Sequence, residues 1–340
     1  MYPILLRIPF IELPIYSYGI MLGLSLVVGW YLVMALGSRD GLPKDKMAAC
    51  FIWTAVSAIL GARILYIITN LSEYRETGFL DMLNMRKGGL VAYGGFLGGF
   101  IGSTIYLKWQ KISLLAWADV VVPTLCTGLG ITRIGCLLFG CDYGRPIPAD
   151  APAFIRSIGL RFPNWETAFP DTVQMFRQGV GCMQGIFQGS PAFHHHLSIG
   201  LVHRGDAASA LVYPTQIMAS LNGWLAFGLV MLVRKHRRFR GQAFLFFTGY
   251  YGLTRSLMEF LRGDVGRGGL GAWSTSQIVG VTTFGAAIVA YLVLHIRAAR
   301  HPEAAMDLGP GAVDTLSSPP QNTETPVVVR PKKSKKRSKK

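Results

Sequence analysis

The chain has 340 residues, of which 51% are hydrophobic and 15% charged, and its mean hydropathy is +0.36. These values exclude an ordinary soluble globular domain and predict an integral membrane protein. The net charge of +16 could indicate nucleic-acid binding. However, the excess Lys and Arg is concentrated in short turns and in the C-terminal tail, where it is typical of topology signals and contact with anionic lipid. Nucleic acid is therefore not an expected partner.

Seven apolar segments are long enough to cross a bilayer as helices, which takes about 20 residues each. In chain order they cover roughly 15–37, 47–69, 88–107, 114–134, 213–233, 241–262 and 274–296. The first segment is too long for a signal peptide and no basic stretch precedes it, so we expect it to be retained as a span. The predicted fold is all-α, a polytopic integral membrane protein with about seven transmembrane helices.

Basic residues follow the first, third, fifth and seventh spans, as the positive-inside rule expects of cytoplasmic loops. The strongest examples are the turn at 234–240 and the tail at 332–340. The C-terminus is therefore predicted to be cytoplasmic, and the N-terminus and the segment 145–212 to lie outside. We expect one transmembrane domain over 1–297 and a disordered, basic cytoplasmic tail over 298–340.

Three arginines at predicted membrane depth are the strongest indication of function. Arg133 directly follows an apolar run, Arg63 lies within the second span and Arg255 within the sixth. A cation in hydrocarbon is costly unless an anion pairs with it. Glu259 follows Arg255 by one helical turn and can pair with it, whereas Arg63 and Arg133 have no acidic residue nearby in sequence. We therefore expect an anionic ligand, and a lipid phosphate suits arginine best.

Hydrolytic and metal-binding signatures are missing from the sequence. It contains no Gly-x-Ser-x-Gly, His-Glu-x-x-His or P-loop motif, so charge stabilisation is the expected source of catalysis. The run His194–His196 lacks carboxylates or cysteines at ligand spacing, and Cys136 and Cys141 do not form a Cys-x-x-Cys repeat. We predict neither a metal nor a cofactor, and we leave open a disulfide between the two cysteines.

The glycine-rich start of the third span, residues 88–95, has two interpretations. Small residues four apart favour close helix packing. Alternatively, the block is irregular backbone that lines a cavity, which a membrane tolerates only where protein or water satisfies the peptide groups. The sequence does not decide between these interpretations.

Taken in order, the motifs of this chain resemble those of the prolipoprotein diacylglyceryl transferase family over roughly residues 10–297. The matching segments are Tyr18-Gly19, Gly61-Ala62-Arg63, Gly88–Gly95, Arg133-Ile134-Gly135, Gly144-Arg145, Tyr213–Gln216, Tyr251–Asp264 and Ser276-Gln277-Ile278. Each segment is a weak signal alone, but their order along the predicted topology makes the resemblance specific.

The resemblance implies transfer of the diacylglyceryl group of phosphatidylglycerol to the thiol of a lipobox cysteine in a prolipoprotein signal peptide. A thioether forms and glycerol phosphate leaves. The expected location is the bacterial cytoplasmic (inner) membrane, with the active site towards the outer leaflet and membrane lipids as partners. Arg133 is expected to contact the lipid phosphate, and Arg255 and Tyr93 are the other predicted catalytic residues. The predicted substrate-binding residues are Tyr18, Arg63, Arg133, Arg145, Tyr251, Glu259 and Arg262.

Three residues depart from the family pattern. Tyr93 stands where well-known members carry histidine, Cys136 where they carry asparagine and Cys141 where they carry glutamate. The segment 146–212 matches no family motif. These departures keep open a divergent paralogue that uses another acceptor or phospholipid. A non-enzymatic lipid or anion transporter is a further alternative, although the chain lacks the paired halves of many transporters.

Overall fold

A computed structural model describes residues 2–8, 13–71, 89, 91–171, 173, 190–263, 269–271 and 273–313. The helices are α1 Ser17–Arg39, α2 Lys44–Thr69, α3 Ala92–Trp109, α4 Leu114–Phe139, α5 Ala153–Ile158, α6 Trp165–Ala168, α7 Pro191–Ser198, α8 Thr215–Lys235, α9 Gln242–Glu259, α10 Thr275–Arg300 and α11 Pro310–Val313, with a 3-10 helix at Pro302–Ala304. Two short antiparallel pairs accompany them, β1 (Ile4–Ile8) with β2 (Leu13–Tyr16) and β3 (Gly269–Leu270) with β4 (Trp273–Ser274).

Each predicted span coincides with one of the long helices α1–α4 and α8–α10. Five of these, α1, α2, α4, α8 and α10, are long and apolar enough to cross a membrane by length and composition. Polar and charged residues dilute the apolar content of α9. The outward faces carry large apolar side chains such as Leu22, Phe100 and Val289, as contact with lipid requires. The protein is a multi-pass membrane protein.

Helix α4 lies at the centre of the bundle and packs against α1 and α8, while α2 pairs with α3 and α9 pairs with α10. Its residues Val120, Val122 and Cys126 are completely buried. Pro123 is tolerated inside this helix, because neighbouring helices in a membrane bundle can re-satisfy freed backbone groups. The central helix therefore gives the residues at its two ends a rigid support.

Glycines join α2 to α3, which confirms the helix-packing interpretation for the helical part of the glycine block. A Cβ atom on Gly98 would lie 2.9 Å from the Cα atom of Gly61, so no side chain fits there without separating the helices. Gly89, before the helix, is irregular with φ +86°, and its carbonyl accepts a hydrogen bond from Arg63. Gly88 and Leu90 lie outside the described residues.

A buried charge cluster, the inner cluster, joins α1, α4 and the turn between α8 and α9. Asp40 accepts ion pairs from Arg234 (2.9 Å), Arg237 (2.7 Å) and Arg240 (2.9 Å). Arg234 also donates to the carbonyl oxygen of Asp119 at 2.7 Å. The predicted cytoplasmic turn is therefore held by specific contacts as well as carrying positive charge.

The chain after α10 packs against this same end of the bundle. Leu308 and Ala312 join an apolar cluster, and the Leu308 carbonyl accepts a hydrogen bond from the Ser113 N–H at 2.9 Å. The structure therefore differs from the predicted disordered tail over 298–340 as far as Val313, because apolar side chains and backbone groups find partners there. Beyond that point the prediction falls outside the described residues.

The described part of the predicted outer segment forms a small subdomain with its own core. Phe162, Trp165 and Phe193 are almost completely buried. Isolated β-bridges between Leu160 and Val212 and between Pro163 and Ala208 close the subdomain. Its helix α7 lies against the end of α4, where the N–H of Ala192 donates to the carbonyl of Gly140. The subdomain therefore adjoins the end of α4 that is farther from the inner cluster.

Candidate functional site

The C-terminal end of α4 reverses the chain and brings Asp142 back to Arg133. Gly140 has φ 90° and Asp142 has φ 55°, and the N–H groups of Gly140 and Cys141 both donate to the Cys136 carbonyl, at 2.8 and 3.2 Å. The bond from Gly140 is the 5→1 bond of an αL helix end and the bond from Cys141 is the 6→1 bond also found in Schellman ends; both motifs favour glycine at this position. The expectation that Arg133 lacks a local acidic partner is wrong: it forms an ion pair with Asp142.

Asp142 links two arginines. Its Oδ2 atom pairs with Arg133 and its Oδ1 atom with Arg262, and the Sγ atom of Cys136 lies 3.3 Å from Oδ2. Burial by itself would raise the pKa of Asp142, but the two guanidinium groups and hydrogen bonds outweigh it and hold the pKa below its usual range. The carboxylate is therefore charged at neutral pH, and 29% of its side-chain surface remains exposed.

Two elements hold this loop in place. At the start of α8, Thr215 donates to the Asp142 carbonyl at 2.8 Å and Gln216 to the Cys141 carbonyl at 2.9 Å. The predicted start of span five at Tyr213–Gln216 is confirmed, since α8 begins at Thr215. After α9, the Arg145 N–H donates to the Leu261 carbonyl at 2.8 Å. The loop is thus fixed from both sides.

A polar pocket of about 30 Å³ lies between α4, α8 and α9. It is lined by Leu129, Arg133, Asp142, Thr215, Ala219, Asn222, Tyr251, Arg255, Met258 and Arg262. Four of the predicted site residues, Arg133, Tyr251, Arg255 and Arg262, therefore lie together. Asp142 pairs with two of these guanidinium groups, those of Arg133 and Arg262, which were expected to bind an anionic ligand.

Arg255 is fixed by two partners, which confirms the predicted pair one helical turn apart. Its Nη1 atom donates to Glu259 at 2.5 Å and its Nη2 atom to the hydroxyl of Ser276 on α10 at 2.8 Å. The Glu259 side chain is only 3% exposed. Glu259 therefore helps to fix the orientation of Arg255.

Two further predicted residues lie beside this pocket. Tyr18, in the first turn of α1, packs on Gly135, where an added Cβ atom would come within 3.2 Å of the Tyr18 backbone. Arg145 lies next to the segment that carries Arg262, because Gly144 and Arg262 form a β-bridge. The fold thus brings both residues to the same end of α4 as Arg133.

Arg63 and Tyr93 belong to the separate α2–α3 pair. Arg63 is 7% exposed, donates to the Gly89 carbonyl at 3.1 Å and lies over the ring of Tyr66 at 5.5 Å. Tyr93 is half exposed on the first turn of α3. Neither residue is among those that line the polar pocket. Asp264, also expected near the end of the sixth span, lies outside the described residues.

Sequence reasoning missed Asp142 and Asn222 as site residues. Asn222 accepts a hydrogen bond from the Tyr250 hydroxyl at 2.6 Å and donates to Thr254 at 3.2 Å. Its amide inside an apolar span was a usable signal, because polar groups at membrane depth are costly unless they have partners. For Asp142 the signal was the preceding Gly140, which permits the chain reversal.

Cys136 and Cys141 are free thiols, so the disulfide left open by the sequence is not formed. Their Sγ atoms and the Asp142 carboxylate lie within 4.8 Å of one another. A hydrogen bond with Cys136, together with burial, raises the pKa of Cys141 well above its usual value. For these two cysteines, the prediction of no metal rested on their spacing and did not include Asp142.

The prolipoprotein diacylglyceryl transferase family model matches residues 3–293. A Clostridium perfringens protein named phosphatidylglycerol–prolipoprotein diacylglyceryl transferase 2 is 32% identical over 270 residues, covering 79% of this chain and 87% of its own. Similarly named proteins of Clostridium tetani and Bacillus cytotoxicus are 29% and 26% identical, covering 80% and 74% of this chain and 90% and 78% of their own. The chain therefore belongs to the prolipoprotein diacylglyceryl transferase family.

Proposed function

We propose that this protein transfers the diacylglyceryl group of phosphatidylglycerol to prolipoproteins, and that the polar pocket at the end of α4 binds the lipid phosphate. Family membership and the names of the relatives support the transferase activity. The juxtaposition of Arg133, Arg255 and Arg262 in one pocket supports the phosphate site. The acceptor is the thiol of a lipobox cysteine, which gains a thioether.

The pocket and its supporting residue Glu259 hold three guanidinium groups and two carboxylates, a formal excess of one positive charge. A phosphodiester anion complements that excess. To bind Arg133 bidentately it displaces the carboxylate of Asp142, which can keep its second contact with Arg262. This exchange lets the arginine stay paired within the membrane at every stage.

Charge stabilisation accounts for the chemistry. As the C–O bond to phosphate breaks, negative charge grows on the leaving oxygens, so fixed guanidinium groups bind the transition state more tightly than the lipid. Arg255 is well suited to this role because Glu259 and Ser276 fix its orientation. Such preorganised donors contribute about 10²–10³ in rate each.

The orientation we propose places the pocket at the outer leaflet, with seven spans, the N-terminus outside and the C-terminus in the cytoplasm. Helix α4 has 26 residues and spans about 39 Å at about 1.5 Å per residue, enough to cross a hydrocarbon core of about 30 Å. The inner cluster and its basic turn lie towards one end of this helix and the pocket at the other. The positive-inside rule assigns the basic end to the cytoplasm.

Tyr93 and Arg63 remain predicted members of the headgroup site. Arg63 holds the Gly89 carbonyl, so we assign it to ordering the glycine block. The half-exposed Tyr93 is available to hydrogen-bond a headgroup.

The decisive experiment is mass spectrometry of a lipobox peptide incubated with the purified protein and phosphatidylglycerol. We expect a diacylglyceryl adduct on the cysteine, lost in Arg133→Ala and kept in Arg156→Ala, which removes an exposed arginine of the outer subdomain. Wild-type turnover by the Arg133→Ala variant would refute the phosphate site. Folded, lipid-binding protein that gives no adduct would favour the paralogue with another acceptor.

A further inference from the structure

We propose that Cys136, Cys141 and Asp142 form a binding site for a thiophilic divalent cation of the Zn²⁺ type. The two Sγ atoms and a carboxylate oxygen lie within 4.8 Å of one another, and Cys136 Sγ is 3.3 Å from Asp142 Oδ2. Zinc bonds of about 2.3 Å to sulfur place two tetrahedral sulfur ligands roughly 3.8 Å apart. The ligand atoms, within 4.8 Å of one another, are thus at most about 1 Å farther apart than in a formed zinc site.

The backbone already holds these ligands in place. Cys136 lies in the last turn of α4, and the hydrogen bond from the Cys141 N–H to the Cys136 carbonyl folds the second thiol over the first. Thr215 and Gln216 fix the carbonyls of Asp142 and Cys141. A site built this way loses little conformational entropy when it binds a cation.

The neighbouring arginines do not exclude a cation, because binding leaves the formal charge unchanged. Two S–H bonds break, two protons go to solvent and two sulfur–metal bonds form, with no change of oxidation state. The cation binds the Oδ2 atom of Asp142, which pairs with Arg133 in this structure, and Arg133 loses that contact. The Oδ1 atom keeps its contact with Arg262. Arg133 is thereby released towards the pocket, where the lipid phosphate is expected.

This cation has a role that rests on the proposed function. Three protein ligands leave the fourth tetrahedral position open, as in catalytic zinc sites. The acceptor cysteine binds there as a thiolate and gives its proton to solvent. Its sulfur then forms a bond to the glyceryl carbon while the C–O bond to phosphate breaks and glycerol phosphate leaves.

The test measures zinc in the purified full-length protein after reduction and dialysis against Zn²⁺. We expect one equivalent in the wild type and loss of it in Cys136→Ser and Cys141→Ser. The matched control is Cys126→Ser, which changes a buried free cysteine of the same helix and should retain zinc. Thermal unfolding checks that each variant folds.

Folded wild-type protein that binds no zinc would overturn the site. So would zinc content that survives in both ligand variants, or a quantitative Cys136–Cys141 disulfide, seen as a 2-dalton loss, that re-forms after reduction. Cobalt substitution gives a second readout: tetrahedral thiolate charge-transfer bands should appear in the wild type and in Cys126→Ser only.

Lipid-transfer assays distinguish a failure of the zinc proposal from a failure of the proposed transferase function. Stripping zinc from the wild type should cause a loss of lipid transfer, with zinc restoring it. Full turnover by the stripped protein would overturn the role at the fourth position and leave the site standing. If zinc-loaded, folded protein transfers no lipid, the proposed transferase activity is wrong, and the role of the cation is wrong with it. The zinc-binding site itself would still stand.

Discussion

The inner cluster and the polar pocket both pair arginines with aspartate in a membrane protein, yet they differ in how completely their charges are satisfied. In the inner cluster Asp119 is fully buried and accepts hydrogen bonds from the N–H groups of Gly241 and Phe244, at 2.9 and 3.0 Å. In the pocket, Arg133 and Asp142 keep 20% and 29% of their side-chain surface exposed. One cluster is closed and the other is open.

The difference shows that an intramembrane arginine is not by itself a mark of function. Arg234 donates to Asp40 and to two backbone carbonyls, so its contacts are internal and its role is structural. Arg133 shares the partly exposed carboxylate of Asp142 with Arg262 and faces a cavity. A binding site therefore differs from a structural ion pair in two ways. Its arginine is accessible to a ligand, and the carboxylate that pairs with the arginine can be displaced by that ligand.

Asp119→Ala is the sharpest test of the inner cluster. It removes the acceptor of two backbone N–H groups and leaves buried cations under-compensated, so we expect a loss of about 3–5 kcal/mol in unfolding free energy. Chemical unfolding in detergent measures it. Asp150→Ala, at an exposed position, should have almost no effect. A stable Asp119→Ala variant would show that the inner cluster is dispensable for folding.

Arg255→Lys tests the polar pocket. Lysine keeps the charge but cannot reach Glu259 and Ser276 with one planar fork, so we expect lipid transfer to fall about 10²-fold. The unfolding midpoint should change little. Arg156→Lys is the control. Activity within twofold of wild type would mean that charge alone is needed and that the orientation of Arg255 is irrelevant.

Ser276→Ala removes one of the two partners of Arg255. A hydrogen bond to a charged group contributes about 1.5–3 kcal/mol, of which we expect only part to appear in the rate, roughly a tenfold loss. Steady-state transfer assays measure it, with Ser157→Ala on the exposed face of α5 as control. A larger loss than that of Arg255→Lys would contradict the order of importance proposed for this pocket.

His196 tests the outer subdomain that adjoins the pocket. Burial, with a smaller contribution from His195, lowers the pKa of His196 to about 4. Between this value and about 6.5 the unfolded chain binds the proton and the folded one does not, so stability falls as pH drops through that window. His196→Gln should show a smaller drop in unfolding midpoint between pH 7 and 5. His236→Gln, at an exposed position, should behave as wild type.

Local patterns identified a large part of this molecule. Apolar run lengths predicted a helix for every span, and one-turn spacing predicted the Arg255–Glu259 pair. The Tyr213–Gln216 motif marked the start of α8. These features are readable because each depends on residues within a few positions of one another along a single helix.

Sequence by itself therefore determined the class of fold, the family and the three arginines that line the polar pocket. Tertiary structure decided which charges meet. Asp142 reaches Arg133 only because Gly140 adopts a left-handed conformation, and Arg262 joins them from a position 120 residues away. Likewise, the packing of Leu308 onto the inner end and the convergence of Cys136, Cys141 and Asp142 depend on chain reversals and helix packing. Helical periodicity carries no information about such non-local contacts.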